Sequence, residues 1–206
     1  MATICLRKSC SVAVATGFRQ RQIMANMQIK RTAFAFLDAA WNRIDANRIK
    51  EVGPEKAAAE WLMRCGAAVK WRGQNKFMAD YNAMELTSGA DMKIEGINAA
   101  ESCIMASGFD YLKGLSAVRQ VKFNKTHHID DLALKKLSLL QDTLEDLEVV
   151  SCGNVTDIGI KGLGELRKLK TVHLADLIGV KKPEECVKSL KAALPQCQIQ
   201  FDGKAK

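Results

Sequence analysis

The sequence predicts an α/β fold: a solenoid of parallel strands with helices on its convex side, capped by an N-terminal helical domain. Two observations predict it, a self-similarity at fixed offset in the second half and an Ala-rich helical stretch ahead of it. Val118, Val121, Phe123, Ile129, Leu132, Leu134 and Leu137 are matched, each 26 residues later, by Leu144, Leu147, Val149, Val155, Ile158, Ile160 and Leu163. A further 25 residues on, Leu169, Val172, Leu174 and Val180 repeat the first half of the pattern. Upstream, Ile94 and Ile97 stand 24 before Val118 and Val121, and Leu112 and Leu115 stand 22 before Leu134 and Leu137. About four units of 22 to 26 residues result, which is leucine-rich-repeat spacing.

The elements follow in chain order. Residues 1–37 hold six basic side chains (Arg7, Lys8, Arg19, Arg21, Lys30 and Arg31) and no acid, the first carboxylate being Asp38. A basic, acid-free leader mixing Ser and Thr with apolar residues reads as a mitochondrial transit peptide over residues 1–31. Phe34, Leu37, Trp41 and Ile44 then recur at helical steps. Gly53-Pro54 opens a second helix, the run Glu55 to Cys65 is helix-favouring, and Gly66 stands where a glycine closes a helix. Ala67 to Trp71 reads as a strand, 75–84 as a connector or short helix, and 85–91 as a loop. Residues 32–90 are therefore expected to form a helical capping domain and 91–206 the repeats, sealed at the far end by a helix around Cys186 to Leu194. One unit cannot bury its own apolar face, which is why both ends need a seal.

Within a unit such as Leu144 to Cys152 the apolar positions alternate inward from a strand, Cys152 marks the turn off it, and Thr156 or Asp157 suits a helix N-cap. The other strand positions face outward and are the candidate partner surface: Arg119, Gln120, Lys122 and Asn124, then Glu145, Asp146, Glu148 and Val150, then Lys170, Thr171, His173 and Ala175. Arg119, Lys122, Glu145, Glu148, Lys170 and His173 carry its chemistry. An acidic middle strand between basic neighbours suits a protein partner better than a phosphate backbone.

Charge agrees with this. Of 31 basic residues six lie in the leader, leaving 25 against 23 acids, so the body is near neutral and nucleic-acid binding is not supported. No stretch reaches the roughly 18 uncharged apolar residues of a membrane span. The seven cysteines are scattered, without a C-x-x-C pair; Cys5 and Cys10 fall in the leader, and the other five read as small buried apolar residues of a reducing compartment. No phosphate loop, G-x-G-x-x-G, nucleophile elbow or H-E-x-x-H occurs, so the sequence offers no support for an enzyme. His127-His128 with Asp130-Asp131 could suggest a metal cluster, but adjacent residues diverge, and turn and capping roles explain them better.

Several segments carry a resemblance: Trp41-Asn-Arg-Ile-Asp45, Val52-Gly-Pro-Glu-Lys-Ala-Ala-Ala-Glu-Trp-Leu-Met-Arg-Cys-Gly-Ala67, Glu101-Ser-Cys-Ile-Met105, Gly108-Phe-Asp110 and Ser151-Cys-Gly-Asn-Val-Thr-Asp157. In order and over about residues 34–195, the chain resembles the mitochondrial ATP synthase subunit s (coupling factor B) family. The resemblance implies a non-catalytic peripheral protein on the matrix face of the inner membrane. It would associate with membrane-sector or stalk subunits of ATP synthase and support the coupling of proton flow to ATP synthesis. It also implies a magnesium ion held by main-chain carbonyls, which map onto Gly66 and Ala100. Family members carry a C-x-C pair where this chain has Asn124 and Thr126, so a dithiol switch there is absent. Two alternatives stay open: an assembly factor for the membrane arm of respiratory complex I, from a related family, and a ubiquitin-ligase recognition module, which would need an F-box that residues 33–66 do not resemble.

Overall fold

The structure, a computed structural model, describes residues 36–82 and 92–203. The transit peptide read at 1–31, Phe34 and all of the 85–91 loop lie outside the described residues. The chain divides into two units, Met1–Ala40 and Trp41–Lys206. In the first, residues 36–40 are helical.

The second unit is built on a six-stranded sheet in the order β1 to β6, with β1 (Ala68–Trp71), β2 (Ile94–Ala100), β3 (Gln120–Asn124), β4 (Asp146–Val150), β5 (Thr171–Ala175) and β6 (Gln198–Asp202). β1 runs antiparallel to β2, and every later pair is parallel. Gly96, Gln120, Asp146, Thr171 and Gln198 stand in one cross-strand line, so the predicted offsets are the sheet register. The mostly parallel α/β class is as read from the repeat.

Ahead of the sheet, α1 (Ala46–Val52) is N-capped by Asp45, whose carboxylate accepts from Arg48 N at 2.9 Å. α2 (Pro54–Arg64) starts on Pro and ends before Gly66, which takes φ +85° as a closing glycine should. Arg48 ties the two helices through Nε and Nη2 to Glu60 Oε2 and Oε1, at 2.9 and 2.6 Å. Trp61 of α2 is 1% exposed, stacked on Tyr111 at 5.4 Å and edge-on to Phe109 at 6.2 Å. The 3-10 segment Ala106–Leu112 supplies both partners. Gly108 lies so close that a Cβ there would stand 2.6 Å from the Trp61 ring.

One expected helix is interrupted. The periodicity Phe34, Leu37, Trp41, Ile44 implied a continuous helix, yet 43–45 are not helical and Trp41 is 41% exposed. Asn42 is the buried residue instead, at 0%. Its Oδ1 accepts from Met105 N (2.8 Å) and Trp61 Nε1 (3.2 Å), and its Nδ2 donates to the Cys103 carbonyl (2.8 Å). These long-range bonds compete with helix continuation at a residue suited to turns.

Behind the strands, α3 (Asp131–Lys136), α4 (Asp157–Gly162) and α5 (Pro183–Ala193) line up, the first two continued by 3-10 turns, Leu137–Leu140 and Leu163–Glu165. Six of the seven matched apolar positions are buried in both units; the exception is the pair Leu132 and Ile158, exposed at 54% and 77%. Both stand second in six-residue helices that bury only Ala133 and Leu134, or Gly159 and Ile160, so the second position points away from the core.

Two devices repeat between units, one at four strand ends and one at two helix starts. Glu101, Lys125, Ser151 and Asp176 each follow the last residue of a strand with φ near +50° (52°, 52°, 52° and 50°), a left-handed conformation that non-glycine residues rarely adopt. Each N–H then donates to the carbonyl ending the next strand: Asn124, Val150, Ala175 and Asp202, at 2.8, 2.9, 3.0 and 3.2 Å. On the helix side, Asp131 accepts from Thr156 N at 2.8 Å and from its hydroxyl at 2.6 Å. Asp157, 26 residues on, accepts from Lys181 N and Lys182 N at 3.1 and 2.9 Å. Gly159 gives Asp131 its room, since a Cβ there would meet Asp131 Oδ1 at 2.3 Å.

Candidate functional site

The alternation of β3, β4 and β5 turns one set of side chains into the core and leaves the other at the surface. Register places Lys122, Glu148, His173 and Gln200 in a row across that outer face. Lys122 Nζ lies 2.9 Å from Glu148 Oε2, and His173 Nε2 lies 3.1 Å from Asp202 Oδ2. Arg119, Glu145 and Lys170 immediately precede β3, β4 and β5 and form the rim at their N-terminal ends, with Lys170 Nζ 2.7 Å from Glu145 Oε2. The hydrogen bond from Lys170 holds the Glu145 carboxyl below the usual carboxylate range, and the fields of Arg119 and Lys168 act in the same direction. The structure thus brings the six candidate partner-surface residues onto one face and its rim.

Two residues read as outward are not. Val150 and Ala175 are 6% and 2% exposed, because alternation stops at the last strand position, where Ser151 and Asp176 turn the chain off the sheet. Asp202, which completes the His173 pair, was missed: β6 carries too weak an apolar repeat to be recognised, none of its residues being fully buried.

Gly66 and Ala100 flank the other end of the β1–β2 pair: Gly66 stands two residues before β1 begins, and Ala100 is the last residue of β2. Cys103 N donates to the Cys65 carbonyl at 2.9 Å, and a Cβ on Gly66 would stand 3.9 Å from Ser102 Cα. Their neighbour Ala99 is engaged, its carbonyl accepting from the hydroxyls of Thr126 (2.5 Å) and Ser102 (3.2 Å). Thr126, one of the two residues standing where the family's cysteines would be, is 0% exposed and ties β2 to the turn after β3.

The His127-His128 turn has its acids committed elsewhere. Asp130 caps α3 by accepting from Ala133 N at 2.8 Å, and Asp131 is the acceptor for Thr156. Among the described residues, no three His, Cys, Asp or Glu side chains converge as a metal-binding group. No helix of the described residues is long and apolar enough to cross a membrane.

Fold and face together define a scaffold of stacked strand–turn–helix units presenting a charged sheet surface. No protein-family model matches the chain. The mitochondrial ATP synthase subunit s of cattle is 42% identical over 177 residues, 84% of this chain and 88% of that protein. The human protein of that name matches to the same extent, and the mouse protein is 40% identical over the same shares. The chain belongs to the mitochondrial ATP synthase subunit s family.

Proposed function

We propose that this protein is a non-catalytic accessory factor of mitochondrial ATP synthase, supporting proton-driven ATP synthesis. In this reading residues 1–31 are a transit peptide, 32–90 cap the N-terminal end, and 91–206 are leucine-rich repeats. The protein works on the matrix side of the inner membrane, held peripherally by contacts to membrane-sector or stalk subunits. The observation that carries this is the 42% identity to bovine and human subunit s over 84% of the chain. The in-register parallel strands support the repeat assignment, and the row Lys122, Glu148, His173 with the rim Arg119, Glu145, Lys170 supports a protein partner.

Magnesium belongs to the same reading, with the Gly66 and Ala100 carbonyls as its protein ligands. The donor set fits a hard cation that retains most of its water and accepts a few neutral oxygens. Gly66 follows the end of a helix, where carbonyls carry the negative end of the dipole, and Ala100 ends the strand paired with β1. When bound, the ion would tie the end of α2 to the end of β2. Calorimetric titration of magnesium chloride into the full chain should give saturable heat, and none would remove the ion from the reading.

Crosslinking in intact mitochondria, followed by capture and mass spectrometry, tests the function. Crosslinks concentrated on ATP synthase membrane-sector and stalk subunits are the expected result. Crosslinks confined to complex I membrane-arm subunits and their assembly proteins would overturn it.

A further inference from the structure

A polar cavity of about 260 Å³ opens at the N-terminal ends of the parallel strands. Its charged lining comes from five successive segments: Arg72 after β1, Glu95 in β2, Arg119 before β3, Asp142 and Glu145 before β4, and Lys168 before β5. Formally the three cations balance the three acids, but the pairing does not. Glu95 is taken by Lys70 at 3.5 Å and Glu145 by Lys170 at 2.7 Å, lysines that do not line the cavity. Arg119 and Lys168 act on Glu145 only through their fields, and among the described residues neither they nor Arg72 pair with a carboxylate within 4.0 Å, which leaves Asp142 as the lining acid not already paired. Lys93 Nζ, outside the lining, donates to Ser116 Oγ at 3.1 Å, which leaves the Ser116 hydroxyl its own proton to donate.

We propose that this cavity is a binding site for an oxyanion, a phosphate or carboxylate group held between the Arg72 and Arg119 guanidiniums with Lys168 and Ser116 completing the donors. Planar guanidinium forks match the two-oxygen geometry of such groups, and their charge-assisted bonds are about twice as strong as neutral ones. The site is built rather than incidental in one respect: Arg119 is fixed at the foot of β3, its N–H donating to the Glu95 carbonyl and its own carbonyl accepting from Glu145 N and Asp146 N, each at 2.8 Å. A ligand gripped here would bridge the segments at β1, β3 and β5. The inference does not depend on the ATP synthase reading, since it concerns the chemistry of the group bound and not the assembly it comes from.

The test is a nuclear magnetic resonance titration of the full chain at constant ionic strength, with inorganic phosphate, glutarate and chloride as probes. Saturable shifts of the Arg119, Glu145 and Lys168 amides are expected with phosphate or glutarate and not with chloride. Arg119→Gln, whose main-chain bonds are retained, should weaken that binding by about tenfold or more, the scale of one lost charged hydrogen bond. A second arm measures cosedimentation with vesicles containing an anionic phospholipid. Loss of cosedimentation in Arg119→Gln would make a lipid headgroup the source of the phosphate. Phosphate or glutarate binding without cosedimentation would make it a soluble or protein-borne group. No saturable shift with either oxyanion, or binding unaltered by Arg119→Gln while the variant keeps the wild-type spectrum elsewhere, would overturn the proposal.

Discussion

Replacing Asn42 by Ala should be among the costliest single changes in the molecule. The side chain is 0% exposed and serves three groups: Met105 N–H, Trp61 Nε1–H and the Cys103 carbonyl. Truncation removes one buried bond and two part-buried ones; a buried polar group deprived of its partner costs about 1–3 kcal/mol, and a part-buried one costs less because water can reach it. The sum is about 3–6 kcal/mol, a large share of the 5–15 kcal/mol that typically separates folded from unfolded chains. Urea unfolding followed by tryptophan fluorescence reads it directly. Asn42→Asp separates the polar bonds from mere volume. Its carboxylate still accepts from Met105 and Trp61 but faces the Cys103 carbonyl without a proton to give. Burial should raise that carboxyl's folded pKa above its unfolded value, so the variant should regain stability as pH falls through the folded pKa and the group becomes a donor. A loss under about 1 kcal/mol for Asn42→Ala, or a pH-independent Asn42→Asp, would refute the assignment of Asn42 as the polar hub of this end.

Three further outcomes follow. Gly108→Ala puts a methyl 2.6 Å from the Trp61 ring, which is clasped by Tyr111 and Phe109, so it should cost about 1–3 kcal/mol by urea titration with a changed near-ultraviolet dichroism of Trp61. Burial pushes the Glu55 carboxyl above its ordinary 4.5, although Ile94 N donates to it at 2.8 Å. The folded state therefore holds that proton more tightly, and stability from this group is present below 4.5 and lost as pH rises through the folded pKa, so Glu55→Gln should gain on the wild type across that rise. The Cys186 thiol is fully buried and pushed up to about 11, and it should resist alkylation at pH 7.5 in the native protein but react once urea unfolds the chain, as read by mass spectrometry.

The 26-residue offset was legible because core burial selects apolar side chains at every turn of the stack, and the parallel register turns that spacing into geometry. The same count admitted Leu132 and Ile158, whose hydrophobicity does not correspond to burial. Asn42 carried no signal, since a polar residue inside an apolar helical spacing looks like the solvent face. Asp131 and Asp157 repeat at the same offset and could have been found by comparing polar positions as well as apolar ones. The left-handed positions Glu101, Lys125, Ser151 and Asp176 share a place but no residue type, and a backbone angle without glycine leaves no mark in composition. Of the candidate surface, the strand alternation located Lys122, Glu148 and His173, whereas the rim cavity depends on which acids are already paired, and pairing is a distance.

The junction bonds give the stack a direction. Each of the four non-glycine left-handed residues hands an N–H forward to a strand that has not yet been made when its own unit leaves the ribosome, and Asp131 and Asp157 likewise wait for amides 24 to 25 residues downstream. A nascent chain that stopped after α4 would hold Ser151 with a donor awaiting β5 and Asp157 with a carboxylate awaiting Lys181 and Lys182. Removing the front of the stack instead deprives the first remaining strand of donors to its terminal carbonyl, a lesser defect, because carbonyls tolerate under-satisfaction better than N–H groups. β6 is thus the keystone of the described sheet, closing the bond that Asp176 leaves open.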